Sequence, residues 1–78
     1  MHQFRIQICS SRQVKEFVTL AMIQPFEVLV CNDRQQVNGK NFMGMFSLDL
    51  RQPLQVQVRC DEDSFCRFRQ KANELLAS

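Results

Sequence analysis

The sequence predicts an α+β fold: an open-faced β-sandwich in the order βαββαβα, with a four-stranded antiparallel sheet and three helices on one face. Three observations predict it. Several segments alternate between apolar and polar residues, most clearly Leu54, Val56, Val58 and Cys60 against Gln55, Gln57 and Arg59, which is the period of a strand with one wet face. Two longer segments repeat apolar residues at helical spacing and so describe buried stripes. The connections are short, and strands wet on one side need all the helices on the other, an arrangement that antiparallel sheets permit.

The elements follow in chain order. Phe4, Ile6 and Ile8 alternate with Arg5, Gln7 and Cys9 and make the first strand. His2 precedes it at a frayed end, and a strand of about six residues, rising on the order of 20 Å, separates that end from the helix start beyond. Val14, Phe17, Val18, Ala21 and Met22 form one stripe of the first helix. Ser10 with Gln13 three residues on fits a capping box, and Pro25 closes the segment. "FEVLVCN" and "RQQVN" read as a hairpin joined by a tight turn at Asn32 and Asp33, and Asn38-Gly39 marks a second turn. "KNFMGMFSLDL" then supplies a short helix, "PLQVQVRC" the fourth strand, and Asp61, Glu62 and Asp63 open a last helix with its stripe at Phe65, Phe68, Ala72, Leu75 and Leu76.

Composition bounds the function. At 78 residues, with 45% apolar content, seven Phe and no Trp or Tyr, the chain predicts a single domain over 1–78. A net charge of +2 without blocks of like sign argues against a nucleic-acid partner. No apolar run approaches the roughly 18 residues of a membrane span, and no leader is visible at the N-terminus, so the expected location is the cytoplasm without membrane insertion. Cys9, Cys31, Cys60 and Cys66 contain no CxxC pair, which predicts free thiols, buried or half-buried, and neither metal nor other cofactor. The expected open face, Arg5, Gln7, Cys9, Glu27, Leu29, Cys31, Gln55, Gln57 and Arg59, has no aromatic ring on which a base could stack. A small RNA- or ligand-binding α+β domain is therefore the weaker alternative. No carboxylate pair, Cys-His pair or glycine-rich phosphate loop is present, and the chain does not read as an enzyme.

The wording "NGKNFMGMFSLDL" between the third and fourth strands resembles the central motif of the histidine-containing phosphocarrier (HPr) family. The match runs through Lys40, Met43, Gly44, Ser47 and Leu48, and the element order and the acidic "DED" also agree. The resemblance implies an HPr-like protein linked to the bacterial phosphoenolpyruvate:sugar phosphotransferase system. Members of the family carry a phosphoryl group on a histidine near the start of the first helix. Counting back from the motif without a gap puts Ser10 at that position and Arg12 at the family arginine. No histidine lies between Gln3 and Ser78, so a shift of register does not recover one. The family's regulatory serine follows the motif lysine, and Asn41 stands there. Asparagine has no hydroxyl to phosphorylate and is a good helix cap, while Ser47 is expected inside the helix.

The implied function is that of a non-phosphorylatable regulatory or protein-binding homologue. Phe42, Met43 and Phe46 match the family's docking patch, whose partners are phosphotransferase enzymes or a transcriptional regulator. Helical spacing places these three on one exposed side and turns Met45, Leu48 and Leu50 inward. Ser10, Ser11 and Arg12 remain a candidate for weak anion binding at the first helix start.

Overall fold

The computed structural model describes residues 2–76. Strand β1 (His2–Ile6) leads through a short loop to helix α1 (Ser11–Met22), followed by β2 (Val28–Cys31) and β3 (Gln36–Asn38). Helix α2 (Phe42–Phe46), strand β4 (Leu54–Val58) and helix α3 (Glu62–Leu76) complete the chain. The four strands pair antiparallel in the order β1-β4-β2-β3.

Register turns the period of two into two different faces. Phe4, Val56, Val30 and Val37 lie opposite one another in a single row across the sheet, next to rows containing Ile6 with Leu54 and His2 with Val58 and Val28. These rows face the helices, and Val28, Val30, Leu54, Val56 and Val58 are wholly buried. The other face carries Gln3, Gln57, Leu29 and Asn38 in one row and Arg5, Gln55, Cys31 and Gln36 in the next. A slip of one residue would exchange the two sets, so the apolar row itself pins the register.

Helices α1 and α3 cover the apolar rows with Val14, Phe17, Val18, Ala21, Phe65, Phe68 and Ala72, and α2 adds Met45. Burying each of the larger side chains contributes roughly 1.5–3 kcal/mol. Phe68 is the hub of the aromatic packing, with Phe4, Phe17 and Phe26 each within 6.1 Å between ring centroids. Gly39 is buried just past β3, alongside β2, with its amide donating to the Val28 carbonyl; a Cβ there would come within 2.7 Å of the Val28 Cγ1, so the close approach requires glycine.

Three local expectations change. β1 begins at His2, not Phe4: His2 pairs with Val58, and its ring stacks on Phe65 at 4.6 Å between centroids, so it is held and not frayed. Stacking on α3 supplies the anchor that period-two reading of the apolar residues overlooked. Ile8 falls beyond the strand yet is buried. The β2–β3 connection spans Asn32 to Gln35 and is not a two-residue turn, because Asn32 Oδ1 accepts from the amides of both Arg34 and Gln35 while the Asn32 amide donates to the Gln35 carbonyl.

Candidate functional site

The first helix start is closed by its own side chains. Ser10 is extended, at φ −154° and ψ 161°, and its Oγ accepts from the Gln13 amide at 3.3 Å. Gln13 reaches back in turn, its Oε1 accepting from the Cys9 amide at 2.7 Å. This is the predicted capping box with the return bond moved one residue upstream. The Val14 amide donates to the Ser10 carbonyl. Arg12, the candidate anion ligand, is mostly exposed and donates to Glu16 at 3.0 Å one turn along the same helix. Ser10, Ser11 and Arg12 therefore sit together in space as in sequence, but the guanidinium is already paired. His2 opens β1, and Ser10 lies beyond its other end; a five-residue strand rising about 3.3 Å per residue separates them.

The second helix start has the same kind of cap and a different surface. Asn41 Oδ1 accepts from the Met43 amide at 3.1 Å and the Gly44 amide at 3.3 Å. Met43 is 77% exposed and Phe46 40% exposed, whereas Met45 is wholly buried and Leu48 nearly so. Phe42 is half-buried: it packs against the core and against Phe46, with ring centroids 4.9 Å apart. Of the three residues expected on the exposed side, Met43 and Phe46 are exposed and Phe42 is half-buried against the core. Leu50 is also only half-buried. Ser47 is not inside the helix but is its C-cap, with its amide donating to the Gly44 and Met45 carbonyls and its hydroxyl to the Gly44 carbonyl at 2.6 Å.

Beside the α1 start lies a groove of about 430 Å³, lined by Gln7, Cys9, Ser10 and Ser11 and, from the end of α2 and the loop after it, by Phe46, Leu50 and Arg51. Sequence reading did not find Arg51. It pairs with Asp49 at 3.1 Å, and hydrogen bonding between them holds the Asp49 carboxyl below its ordinary value and the guanidinium above its own. The signal was the "DLR" directly after the central motif, which only the fold brings beside Ser10. Lys40 and Gln35 were also missed as contacts: Lys40 Nζ donates to the Gln24 carbonyl, and Gln35 Nε2 donates to Ser47.

The thiols are distributed differently from the expectation. Cys31 and Cys60 are half-buried, but Cys9 and Cys66 are exposed. Cys9 lies in the loop between β1 and α1 and Cys66 in α3, next to buried Phe65 but itself exposed. Burial, and next the Asp61 carboxylate, push the Cys60 thiol up from its usual range, while hydrogen bonding from Ser64 holds Asp61 down. Among the described residues there is no cluster of three or more His, Cys, Asp or Glu suited to a metal, and no helix is long and apolar enough to cross a membrane.

No family model and no curated sequence matches the chain. Solved structures do. An HPr-C-His protein from Thermoanaerobacter tengcongensis is 22% identical, with a TM-score of 0.79 over 100% of this chain and 98% of that one. The phosphocarrier protein HPr of Bacillus anthracis str. Ames is 17% identical, with a TM-score of 0.73 over 96% and 95% of the two chains. A histidine-containing phosphocarrier protein of Mycoplasma is 13% identical, with a TM-score of 0.73 over 96% and 97%. Likeness that spans nearly the whole of both chains, at the observed element order and sheet topology, shows that this chain has the HPr fold.

Proposed function

We propose that the protein is a non-phosphorylatable, HPr-like regulatory or protein-binding homologue, related to the bacterial phosphoenolpyruvate:sugar phosphotransferase system. It acts in the cytoplasm as a docking partner and not as an enzyme. The observation that carries this reading is the exposure of Met43 and Phe46 near a helix start capped by Ser10, where the resemblance places the family's histidine. Apolar side chains exposed together on one short helix are the composition of a contact surface. Ser10 lacks the means to replace the histidine. A hydroxyl needs a base to become a nucleophile, and the Ser10 Oγ instead accepts the Gln13 amide. Asn41 likewise gives a serine kinase no hydroxyl. The partner is a phosphotransferase-system enzyme or a transcriptional regulator.

The test is direct. Incubation with phosphoenolpyruvate and the general phosphotransferase enzyme is expected to leave the protein without acid-labile phosphate. The same enzyme, or a regulator from the same system, is expected to be retained on the immobilised protein and lost on Phe46→Ser. A stoichiometric gain of one phosphoryl group would overturn the reading. So would binding of single-stranded RNA with no protein captured, the outcome that favours the alternative class.

A further inference from the structure

Helix α2 carries the exposed surface, yet it is five residues long. A single turn does not recover the cost of helix nucleation, and Gly44 at its centre is a poor helix former. Packing holds its inner side: Phe42 packs partly against the core, Met45 and Leu48 enter it, and Gly44 lies so close to β3 that a Cβ there would be 3.3 Å from the Val37 Cβ.

Two side-chain hydrogen bonds add a tie at each end, one from Lys40 just before the cap and one from Gln35 in the β2–β3 connection. At the entrance, Lys40 Nζ donates to the Gln24 carbonyl at 2.9 Å, across 16 residues of sequence. Gln24 is itself fastened to α1, its amide donating to Ala21 and its side chain to Leu20. Helix α1 has no basic residue in its last turn, so the Lys40 ammonium also supplies the cation that the negative end of a helix favours. At the exit, Gln35 Nε2 donates to the Ser47 carbonyl at 2.9 Å and to its hydroxyl at 3.2 Å, from a loop braced by Asn32. One bond ties α2 to the end of α1, the other to the β2–β3 connection.

We infer that Lys40 and Gln35 are positioning residues that clamp the two ends of α2 and so hold Met43 and Phe46 in the geometry a partner meets. The clamp follows from the hydrogen bonds; its link to docking rests on the reading above.

The experiment compares wild type, Lys40→Met, Gln35→Ala and Lys40→Arg by amide hydrogen exchange and by retention of the general phosphotransferase enzyme. Loss of a charged donor is expected to speed exchange at the Met45 and Ser47 amides by about tenfold in Lys40→Met, and loss of a neutral one by roughly fivefold in Gln35→Ala. The Val56 and Val58 amides in β4 are expected to stay unchanged, and Lys40→Arg to recover most of the protection. Unchanged exchange in α2, or faster exchange in α2 and β4 alike, would overturn the clamp. Retention is expected to fall in step with the loss of α2 protection. Equal retention by a variant with a loosened α2 would overturn the link to docking. If wild type itself retains nothing, the docking reading fails, while the exchange data still decide the clamp.

Discussion

The starts of α1 and α2 use one local device for opposite ends. Each has an extended cap residue with a short polar side chain, Ser10 at φ −154° and Asn41 at φ −102°, that accepts from amides of the first turn. At α1 two polar side chains of the first turn then find partners in the chain: Gln13 with Cys9, and Arg12 with Glu16. At α2 the turn beyond the cap is apolar and half of it meets solvent, with Met43 and Phe46 outside and Met45 beneath. A cap therefore says where a helix begins and nothing about what its first turn does. The difference lies in whether the groups beyond the cap have partners in the chain, and only α2 leaves a surface without them.

The largest effects should come from cutting α2 on its inner side. Met45→Ala removes a wholly buried side chain and is expected to cost about 2–5 kcal/mol. At roughly 4–8 °C per kcal/mol for a domain of this size, thermal melting should fall by about 8 °C or more. Met43→Ala, two residues away and mostly exposed, should leave melting within about 0.5 kcal/mol. Similar losses at the two positions would erase the division of α2 into an inner and an outer side.

Next come the two rings, which differ more than their spacing suggests. Phe46→Ser should cost no more than about 1 kcal/mol, and Phe42→Ser about 1–3 kcal/mol, because Phe42 packs partly against the core. Denaturant midpoints measured for both variants order the two. Equal and small losses would restore the simpler picture of three freely exposed residues.

The sheet and the helices were legible because burial on one face writes itself into spacing: Leu54, Val56 and Val58 could not all point elsewhere, and Val14, Phe17, Val18 and Ala21 fit only one side of a helix. Both caps were legible too, since Ser10 and Asn41 act on amides two or three residues away. What spacing could not reveal was anything set by partners distant in sequence. His2 is held by Phe65, Phe42 is drawn inward by the core, Arg51 arrives beside Ser10 from more than half the chain away, and Lys40 finds a carbonyl on the far side of two strands. The exposed thiols of Cys9 and Cys66 belong with these, because a cysteine's place depends on neighbours that its own pattern does not record.

Smaller effects separate the caps themselves. Ser10→Ala and Asn41→Ala should each cost about 1 kcal/mol, the usual loss on removing a capping acceptor. Their reach should differ. Two amides rely on Asn41 in a helix of five residues, so Asn41→Ala should loosen all of α2 and weaken partner retention. Ser10→Ala should fray only the first turn of a twelve-residue helix and leave retention intact. Chemical shifts along both helices would show it, and loss of retention in Ser10→Ala would bring the α1 start into the docking surface.

The smallest effect tests whether the α1 start is closed by its own pairing or is an anion site already. The Arg12–Glu16 pair is exposed, and such pairs contribute only about 0.2–0.5 kcal/mol, less in high salt. Glu16→Gln should therefore leave melting almost unchanged while removing the negative charge that competes with an anion for the guanidinium. If Ser10, Ser11 and Arg12 can hold an anion once that competitor is gone, titration with inorganic phosphate should shift their amide resonances more in Glu16→Gln than in wild type, and the added response should vanish in Arg12→Gln/Glu16→Gln. Strong, saturable shifts in wild type would mean that Glu16 does not occupy Arg12 in a way that matters, and the contrast between a self-satisfied α1 start and an open α2 surface would fail at its first term. No response in any variant would leave the first turn of α1 as a cap alone, with α2 the sole surface on which the proposed function depends.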